Sequence, residues 1–211
     1  MADLSWLHAV PIGLLMFAGT TYGVVKRALS KRASQSGFPA LGVKLALTHT
    51  VPETPGAAGT LKGTYQGHRV RLESETRARA VVSFRREIKL ELRNYEHWKR
   101  TPNGLEVVAF EQRQLNTWLR NRFAHASLRA LLIRDATLTT LLSRLRDDPH
   151  LRELTITPDR VEFVFDYGVR GLFPVNAAEQ ALTTALTLAE RIEQLEGSAA
   201  SNSERAERSG S

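Results

Sequence analysis

The sequence predicts an α+β protein in which an N-terminal transmembrane helix is followed by an antiparallel β-meander and then by an α+β half with a C-terminal helix. Three observations predict this class. Residues 4–25 contain no Asp, Glu, Lys or Arg. Between residues 43 and 93, apolar and polar residues alternate at intervals of two, which is typical of strands. After residue 110, apolar residues recur mostly at helical spacing.

The apolar stretch 4–25 has the length of a membrane span. As a helix it would extend roughly 33 Å at 1.5 Å per residue, and a hydrocarbon core is about 30 Å thick. Trp6 and Tyr22 lie near its two ends, where aromatic rings favour the headgroup layer. A buried core helix and a cleaved signal are the alternatives. A signal needs cations before its apolar run, and residues 1–6 carry none.

A basic juxtamembrane linker, residues 26–36, follows the predicted span. Its four cations are Lys26, Arg27, Lys31 and Arg32. Because cations beside a span stay in the cytoplasm, we expect a single-pass membrane protein with its N-terminus outside and its folded domain in the cytoplasm.

Gly19 and Gly23 form a G-x-x-x-G pattern inside the span, which brings membrane helices into close contact. They are therefore candidate helix–helix contacts of a homodimer. The monomer stays open as the alternative, because small residues are common in membrane helices and Pro11 would bend this one.

The β-rich part covers residues 37–104. Residues 33–40 read as a short linker before it, and Pro102, Asn103 and Gly104 mark its end. Its predicted elements are a strand over 43–47, a hairpin with its turn at Gln66-Gly67, a strand over 80–84 and a strand over 88–92.

The α+β part covers residues 105–196, and we expect disorder in the small, polar tail 197–211. The predicted elements of this part are a strand over 105–110, a helix over 111–123, a short helix around 128–132, a helix capped by Asp135 that ends before Pro149, a hairpin with its turn at Pro158-Asp159, and a helix from Asn176 through Leu195. The sequence leaves open whether the two parts form one domain or two.

The net charge of +7 comes from the first 104 residues, on the membrane side of the chain. An anionic lipid surface attracts juxtamembrane cations, so Arg85, Arg86, Lys99 and Arg100 are candidate contacts with lipid headgroups. The simpler alternative is that these four side chains lie in solvated loops without a lipid contact. We do not expect nucleic acid as a partner, because the positive charge lies in the membrane-proximal half of the chain and no RNA-binding motif occurs.

No catalytic, cofactor-binding or metal-binding residue is predicted. There is no cysteine, and the six histidines lack metal-pair spacing. The stretch 37–44 imitates a phosphate-binding loop but has Val43 before its lysine and no Ser or Thr after it. Asp147, Asp148 and Asp166 are read as turn residues rather than as catalytic acids.

The resulting hypothesis is a membrane-anchored, cytoplasm-facing interaction or scaffold module without catalytic activity. Its partners would be the lipid bilayer and another protein. Two alternatives remain: a sensor of anionic lipid surfaces, and an enzyme that acts on a membrane-associated substrate without a recognisable motif.

Overall fold

Antiparallel strands form one sheet in the structure, which is a computed structural model. It describes residues 24–25, 28, 32, 35, 37–52, 57–94, 106–107, 110, 112–122, 126–169 and 172–209. Within these residues the strands are β1 (Thr48–Thr50), β2 (Gly59–Tyr65), β3 (His68–Ser74), β4 (Ala78–Ser83), β5 (Glu91–Asn94), β6 (Glu106–Val107), β7 (Leu119–Arg122), β8 (Leu151–Thr157) and β9 (Arg160–Phe165).

Helices cover one face of this sheet. The continuous described part of the first helix, α1, is 37–44, and the isolated described residues before it, at 24, 25, 28, 32 and 35, are also helical. The others are α2 (Arg113–Trp118), α3 (Ala126–Arg134), α4 (Ala136–Arg146) and α5 (Val175–Ser209). The α+β class is thereby confirmed.

The predicted membrane span, 4–25, lies outside the described residues except for Val24 and Val25. Those two side chains are exposed. Within the part of the chain that the structure describes, no helix is long and apolar enough to cross a membrane.

The strand order is β1-β2-β3-β4-β9-β8-β5-β7-β6. The β8–β9 hairpin therefore lies between β4 and β5, so the β-rich and α+β parts supply strands to the same sheet. Both predicted hairpin turns are confirmed, since Tyr65 pairs with His68 and Thr157 pairs with Arg160. Gln66 and Gly67 both have positive φ, as a two-residue hairpin turn requires.

The strand predicted over 43–47 is wrong. Residues 37–44 are helical, and the first strand begins at Thr48. Phe38, Leu41 and Leu45 are buried at intervals of three and four, which is the spacing of a helix face, whereas Val43 is 84% exposed. The linker predicted over 33–40 is likewise helical from residue 37, with Phe38 fully buried.

The helix predicted over 111–123 is too long, because α2 ends at Trp118. The next residue, Leu119, has extended backbone angles and begins β7, which pairs with β5. The change from helix to strand lets two consecutive residues, Trp118 and Leu119, both reach the core.

The C-terminal helix is longer than predicted and includes most of the tail that we expected to be disordered. It runs to Ser209. Ala199 is buried against the core, so apolar contact continues past Gly197. Ser198 and Ser201 donate to the carbonyl oxygens of Gln194 and Gly197, four residues earlier in the helix. Small residues that fit against the core replace the Leu and Ile pattern that marks the rest of the helix.

The core lies between the sheet and the helices. It is a single cluster to which α5 contributes a row of buried side chains, including Leu182, Leu186, Ala189 and Ile192. The opposite face of the sheet carries charged side chains that form ion pairs. Across strands, Arg79 Nε on β4 lies 3.1 Å from Glu162 Oε1 on β9, and within β9 Arg160 Nε lies 3.2 Å from Glu162 Oε2.

Candidate functional site

A cleft of about 620 Å³ opens where β4 begins, β9 ends and β8 begins. We call it the strand-end cleft. Strand residues form its floor, and the β3–β4 turn and the segment after β9 form its walls. Its lining residues are Thr76, Arg77, Ala78, Arg152, Glu153, Val164, Phe165, Asp166, Tyr167, Gly168, Val169 and Leu172.

The carboxylate of Asp166 in this cleft is held by its own chain. Its Oδ1 accepts the backbone N–H of Gly168 at 2.8 Å, and its Oδ2 lies 3.5 Å from Arg152 Nε. Gly168 has φ of +71°, which lets the chain turn directly after the strand. Asp166 therefore acts as a turn residue, as the sequence predicts.

Tyr167 separates the strand-end cleft from a second cavity. Its ring packs against Phe165 and Phe173, with centroid distances of 6.1 and 6.0 Å, and lies 4.5 Å from the ring of His150. Burial, reinforced by the negative charge of Asp148, raises the pKa of the Tyr167 phenol to about 12. The phenol is therefore neutral over the physiological pH range.

The second cavity, of about 150 Å³, lies between α4 and α5 with β9 behind it. We call it the helix pocket. It shares Phe165 and Tyr167 with the strand-end cleft, so the two cavities adjoin. Its lining residues are Leu141, Arg144, Leu145, Asp148, Phe163, Phe165, Tyr167, Ala177, Gln180, Ala181 and Thr184.

Asp148, on the rim of the helix pocket, also has a local structural role. Its Oδ1 accepts the backbone N–H of His150 at 2.8 Å, which closes the turn after α4. Asp147 is paired with Arg146 at 2.7 Å. The structure thus places the two neighbouring acids in separate interactions rather than bringing them together on one substrate position.

The arginines predicted to contact lipid headgroups lie against α5. Arg85 Nη1 is 3.6 Å from Glu193 Oε2, and Arg86 Nε is 3.5 Å from Glu196 Oε2. The backbone N–H of Arg85 also donates to Glu193 Oε1 at 2.6 Å. A headgroup at this position would compete with these carboxylates. Lys99 and Arg100 lie outside the described residues.

Most of the residues assigned to membrane contact also lie outside the described residues. They are Lys26, Arg27, Lys31, Gly19 and Gly23. Arg32 is described, and it is helical and exposed. Within the described part of the chain, no cluster of three or more His, Asp or Glu side chains could hold a metal ion.

Neither cavity is predicted by the sequence. Their arginines, Arg77, Arg144 and Arg152, come from three separate segments that only the fold brings together. One signal was available: Phe163, Phe165 and Tyr167 alternate along the chain and continue past the last strand residue. Such an aromatic row at a strand end points to an aromatic wall there.

The comparisons with known proteins leave the family of this chain open. No family model matches the sequence, and no curated protein matches it. A solved structure that is similar in fold is the crystal structure of the mycobacterial trehalose monomycolate transport factor A, TtfA. The TM-score is 0.50 at 10% sequence identity, over 79% of this chain and 93% of that chain. At this identity the likeness concerns the fold alone.

Proposed function

We propose that this chain is a noncatalytic, membrane-tethered module whose cytoplasmic folded part binds another protein. The observation that carries the proposal is the pair of adjoining cavities, of which the helix pocket is lined mostly by side chains of α4, α5 and β9. Sites built on rigid elements are largely preformed and lose little entropy on binding.

The polar groups around the cavities support binding rather than catalysis. Asp166 and Asp148 each accept a backbone N–H, and Asp166 also faces Arg152. A general acid or base needs a carboxylate directed at the reacting atom. Here the carboxylates of Asp148 and Asp166 stabilise turns, and the partly exposed ring of Tyr167 remains to contact a partner.

The membrane tether is supported by the sequence of residues 4–25 and by the four cations that follow it. Phe38 and Leu41 of α1 are buried in the core. A tether placed before α1 would therefore hold the folded part close to the lipid surface.

The binding function can be tested by affinity capture of the full chain in mild detergent after crosslinking in cells. We expect a protein partner that is lost when Arg77 and Arg152 of the strand-end cleft are both replaced by Glu. A matched control is Thr183→Glu together with Thr187→Glu, on the exposed side of α5. The proposal fails if no reproducible partner is recovered and the purified chain turns over a metabolite.

The tether has its own test. Deleting residues 4–25 should move the protein from alkali-washed membranes to the supernatant, and a C-terminal reporter on the full chain should be active only in the cytoplasm. A reporter that is active on the outer side would show that the proposed orientation is wrong.

A further inference from the structure

We propose that the sheet face opposite the helices docks on anionic lipid headgroups through Lys62, Arg69 and Arg71. This inference goes beyond the proposed function, because it gives the folded part a second surface and an orientation on the bilayer; it rests on the proposed tether. The surface is a shallow groove of about 420 Å³, which we call the β2–β4 groove. Its lining residues are Lys62, Gly63, Thr64, Arg69, Val70, Arg71, Val81 and Ser83.

The strand pairing places the three cations on one face of the sheet. Lys62 on β2 is paired directly with Arg71 on β3, and Arg69 lies two residues before Arg71. Side chains alternate between the two faces of a strand. The intervening residues of β3, Val70 and Leu72, are buried on the helix side. The three cations, all on exposed residues, therefore form a flat array on the uncovered face.

The positive charge of this array is only partly neutralised. The groove is lined by three cations and no acid. Arg71 Nη2 lies 2.9 Å from Glu73 Oε2, and the same oxygen lies 3.8 Å from Arg79 Nη1, so one carboxylate serves two arginines. Within the described part of the chain, neither Lys62 nor Arg69 has an acid within ion-pair distance. The strand-end cleft and the helix pocket differ, because acids line them beside their arginines.

This array opposes folding to a small extent. Like charges directly opposite each other on neighbouring strands are destabilising, and Lys62 stands opposite Arg71. Arrangements that break such a local rule are expected mainly at functional sites. An anionic surface laid against this face would offset the repulsion, so charge complementarity favours an anionic occupant.

The lining of the groove argues against nucleic acid as that occupant. Sheet surfaces that bind single-stranded RNA or DNA stack the bases on aromatic side chains. The groove is lined by no aromatic residue, and its floor is formed by Val70 and Val81 with small or polar neighbours. Its cations can therefore meet phosphate groups, but it offers no platform for bases.

The proposed tether favours lipid headgroups over a soluble acidic partner. Each cation near an anionic leaflet strengthens binding only about fivefold. Such weak contacts suffice when a tether makes docking intramolecular and raises the effective concentration of the surface. As a helix, residues 26–36 would span about 16 Å, which keeps the folded part beside the bilayer. In the proposed orientation that leaflet is the cytoplasmic one, where anionic lipids are enriched.

Docking through the β2–β4 groove would also leave the protein-binding cavity accessible. The helix pocket lies between α4 and α5, on the opposite side of the sheet from the groove. With the groove against the lipid, the helix pocket faces away from the bilayer. The lipid-binding and protein-binding surfaces can therefore be occupied at the same time.

The absence of cysteine from the natural chain allows a test with a single introduced thiol. Thr64→Cys places a fluorescent nitrobenzoxadiazole label in the groove, and Thr183→Cys places it on the exposed side of α5. The full chain is held in lipid nanodiscs that contain phosphatidylcholine with a nitroxide on its headgroup. Because the nitroxide quenches only nearby fluorophores, quenching reports contact of the labelled face with the headgroups.

We expect quenching at Thr64→Cys to be about threefold stronger in nanodiscs with about 30% phosphatidylglycerol than in nanodiscs of phosphatidylcholine alone. Quenching at Thr183→Cys should be the same in both. About 1 M salt should abolish the difference at Thr64→Cys, because the Debye length is then only about 3 Å.

A pair of charge variants separates the groove from net charge. Lys62→Gln with Arg69→Gln should lower the ratio of docked to undocked protein about thirtyfold, from about fivefold per cation. The matched control is Arg113→Gln with Arg134→Gln, on exposed residues of α2 and α3, which removes the same charge and should quench like the natural chain. The groove variant should unfold at no lower urea concentration than the natural chain, since repulsion is relieved.

Three results would overturn the inference: equal quenching at both cysteines, no dependence on anionic lipid, or equal loss in the groove and control variants. Polyglutamate or single-stranded RNA that changes the emission of Thr64→Cys in phosphatidylcholine nanodiscs, but not in the groove variant, would assign the groove to an acidic protein or to nucleic acid instead. If the chain resists alkali and captures a partner while Thr64→Cys stays unquenched, only the inference falls. If alkali releases the natural chain from membranes, the tether falls and the inference falls with it.

Discussion

The carboxylate of Asp135 joins the start of α4 to the middle of α5. Its Oδ1 accepts the backbone N–H of Leu138 at 2.7 Å, which caps α4, and its Oδ2 accepts from Nε of Arg191 at 2.9 Å. The Asp135 side chain is only 7% exposed and that of Arg191 is 35% exposed, so the cap is better shielded from water than the ion pair. The hydrogen bond from Arg191 lowers the pKa of Asp135 below its ordinary value.

Two substitutions of Asp135 should distinguish the contribution of the helix cap to stability from that of the ion pair. We expect Asp135→Ala to lower the free energy of unfolding at pH 7 by about 2 kcal/mol, since it removes both interactions. Asp135→Asn keeps an N-cap oxygen and loses the negative charge, so about half of that loss is expected. Urea unfolding followed by tryptophan fluorescence measures both.

The pH dependence of Asp135→Asn provides a control. A carboxyl whose pKa is lowered by folding stabilises the protein above its unfolded pKa, and this contribution disappears as the pH falls through the folded pKa. The difference between the natural chain and Asp135→Asn should therefore shrink as the pH falls below 3.8, the ordinary value. An unchanged difference at low pH would show that the ion pair is not its cause.

Asn94 completes the pairing of β5 with β8 by means of its side chain. Regular pairing joins Leu92 to Ile156 and Arg93 to Thr155. At the next position the Asn94 amide donates to the carbonyl of Arg152 and accepts the N–H of Leu154, both at 3.0 Å. The β8–β9 pairing is irregular at the same place, between Leu151 and Glu153.

Asn94→Ala should therefore destabilise the protein by about 3 kcal/mol, because it leaves the buried N–H of Leu154 and the partly buried carbonyl of Arg152 without their partner. The matched control is Asn116→Ala. Asn116 bonds to both backbone groups of Phe110 in the same way, but its side chain is half-buried, so water can replace it at lower cost. A loss at Asn94 no larger than that at Asn116 would contradict this account.

The elements that could be predicted from sequence are those whose local pattern and tertiary role agree. The hairpins at 66–67 and 158–159 combine alternating strands with turn residues, and α4 combines a capping Asp135 with leucines three and four residues apart. The boundary at Leu119 could not be predicted, because β7 exists through its pairing with β5 rather than through its own composition.

The candidate site could not be predicted from the sequence for a related reason. Its two cavities exist because the β8–β9 hairpin lies between β4 and β5, which brings the β3–β4 turn beside the start of β8. Nothing in the sequence around Arg77 or Arg152 indicates that they line the same cleft. Tyr167 likewise gains its burial from Phe173 and from the elements packed around it.

Gly59 should be the more sensitive of two glycines with positive φ. It has φ of +94°, and an added Cβ would lie 2.3 Å from the carbonyl oxygen of Thr50 on the neighbouring strand. Gly168 has φ of +71° with no atom within 4 Å of that position. We expect Gly168→Ala to cost about 1 kcal/mol, from backbone strain alone.

Gly59→Ala should cost about 3 kcal/mol, because the backbone clash forces β1 away from β2 in addition to the strain. Hydrogen exchange should then show faster exchange of the β1 and β2 amides. Equal losses of stability for the two glycines would mean that β1 moves aside freely.

The phenol of Tyr167 should titrate far above an ordinary tyrosine. Burial and the nearby Asp148 raise its pKa from 10.0 to about 12. A group whose pKa is raised by folding contributes stability that is fully present below its unfolded pKa and is lost as the pH rises through the folded value. The contribution of Tyr167 should therefore be constant up to about pH 10 and disappear between pH 10 and 12.

Absorbance at 295 nm, compared between the natural chain and Tyr167→Phe, isolates the titration of the Tyr167 phenol. Asp148→Asn should lower the midpoint, since it removes the repelling charge, while Asp147→Asn, one residue away and paired with Arg146, should leave it unchanged. A midpoint near 10 in the natural chain would show that the wall between the two cavities is open to water.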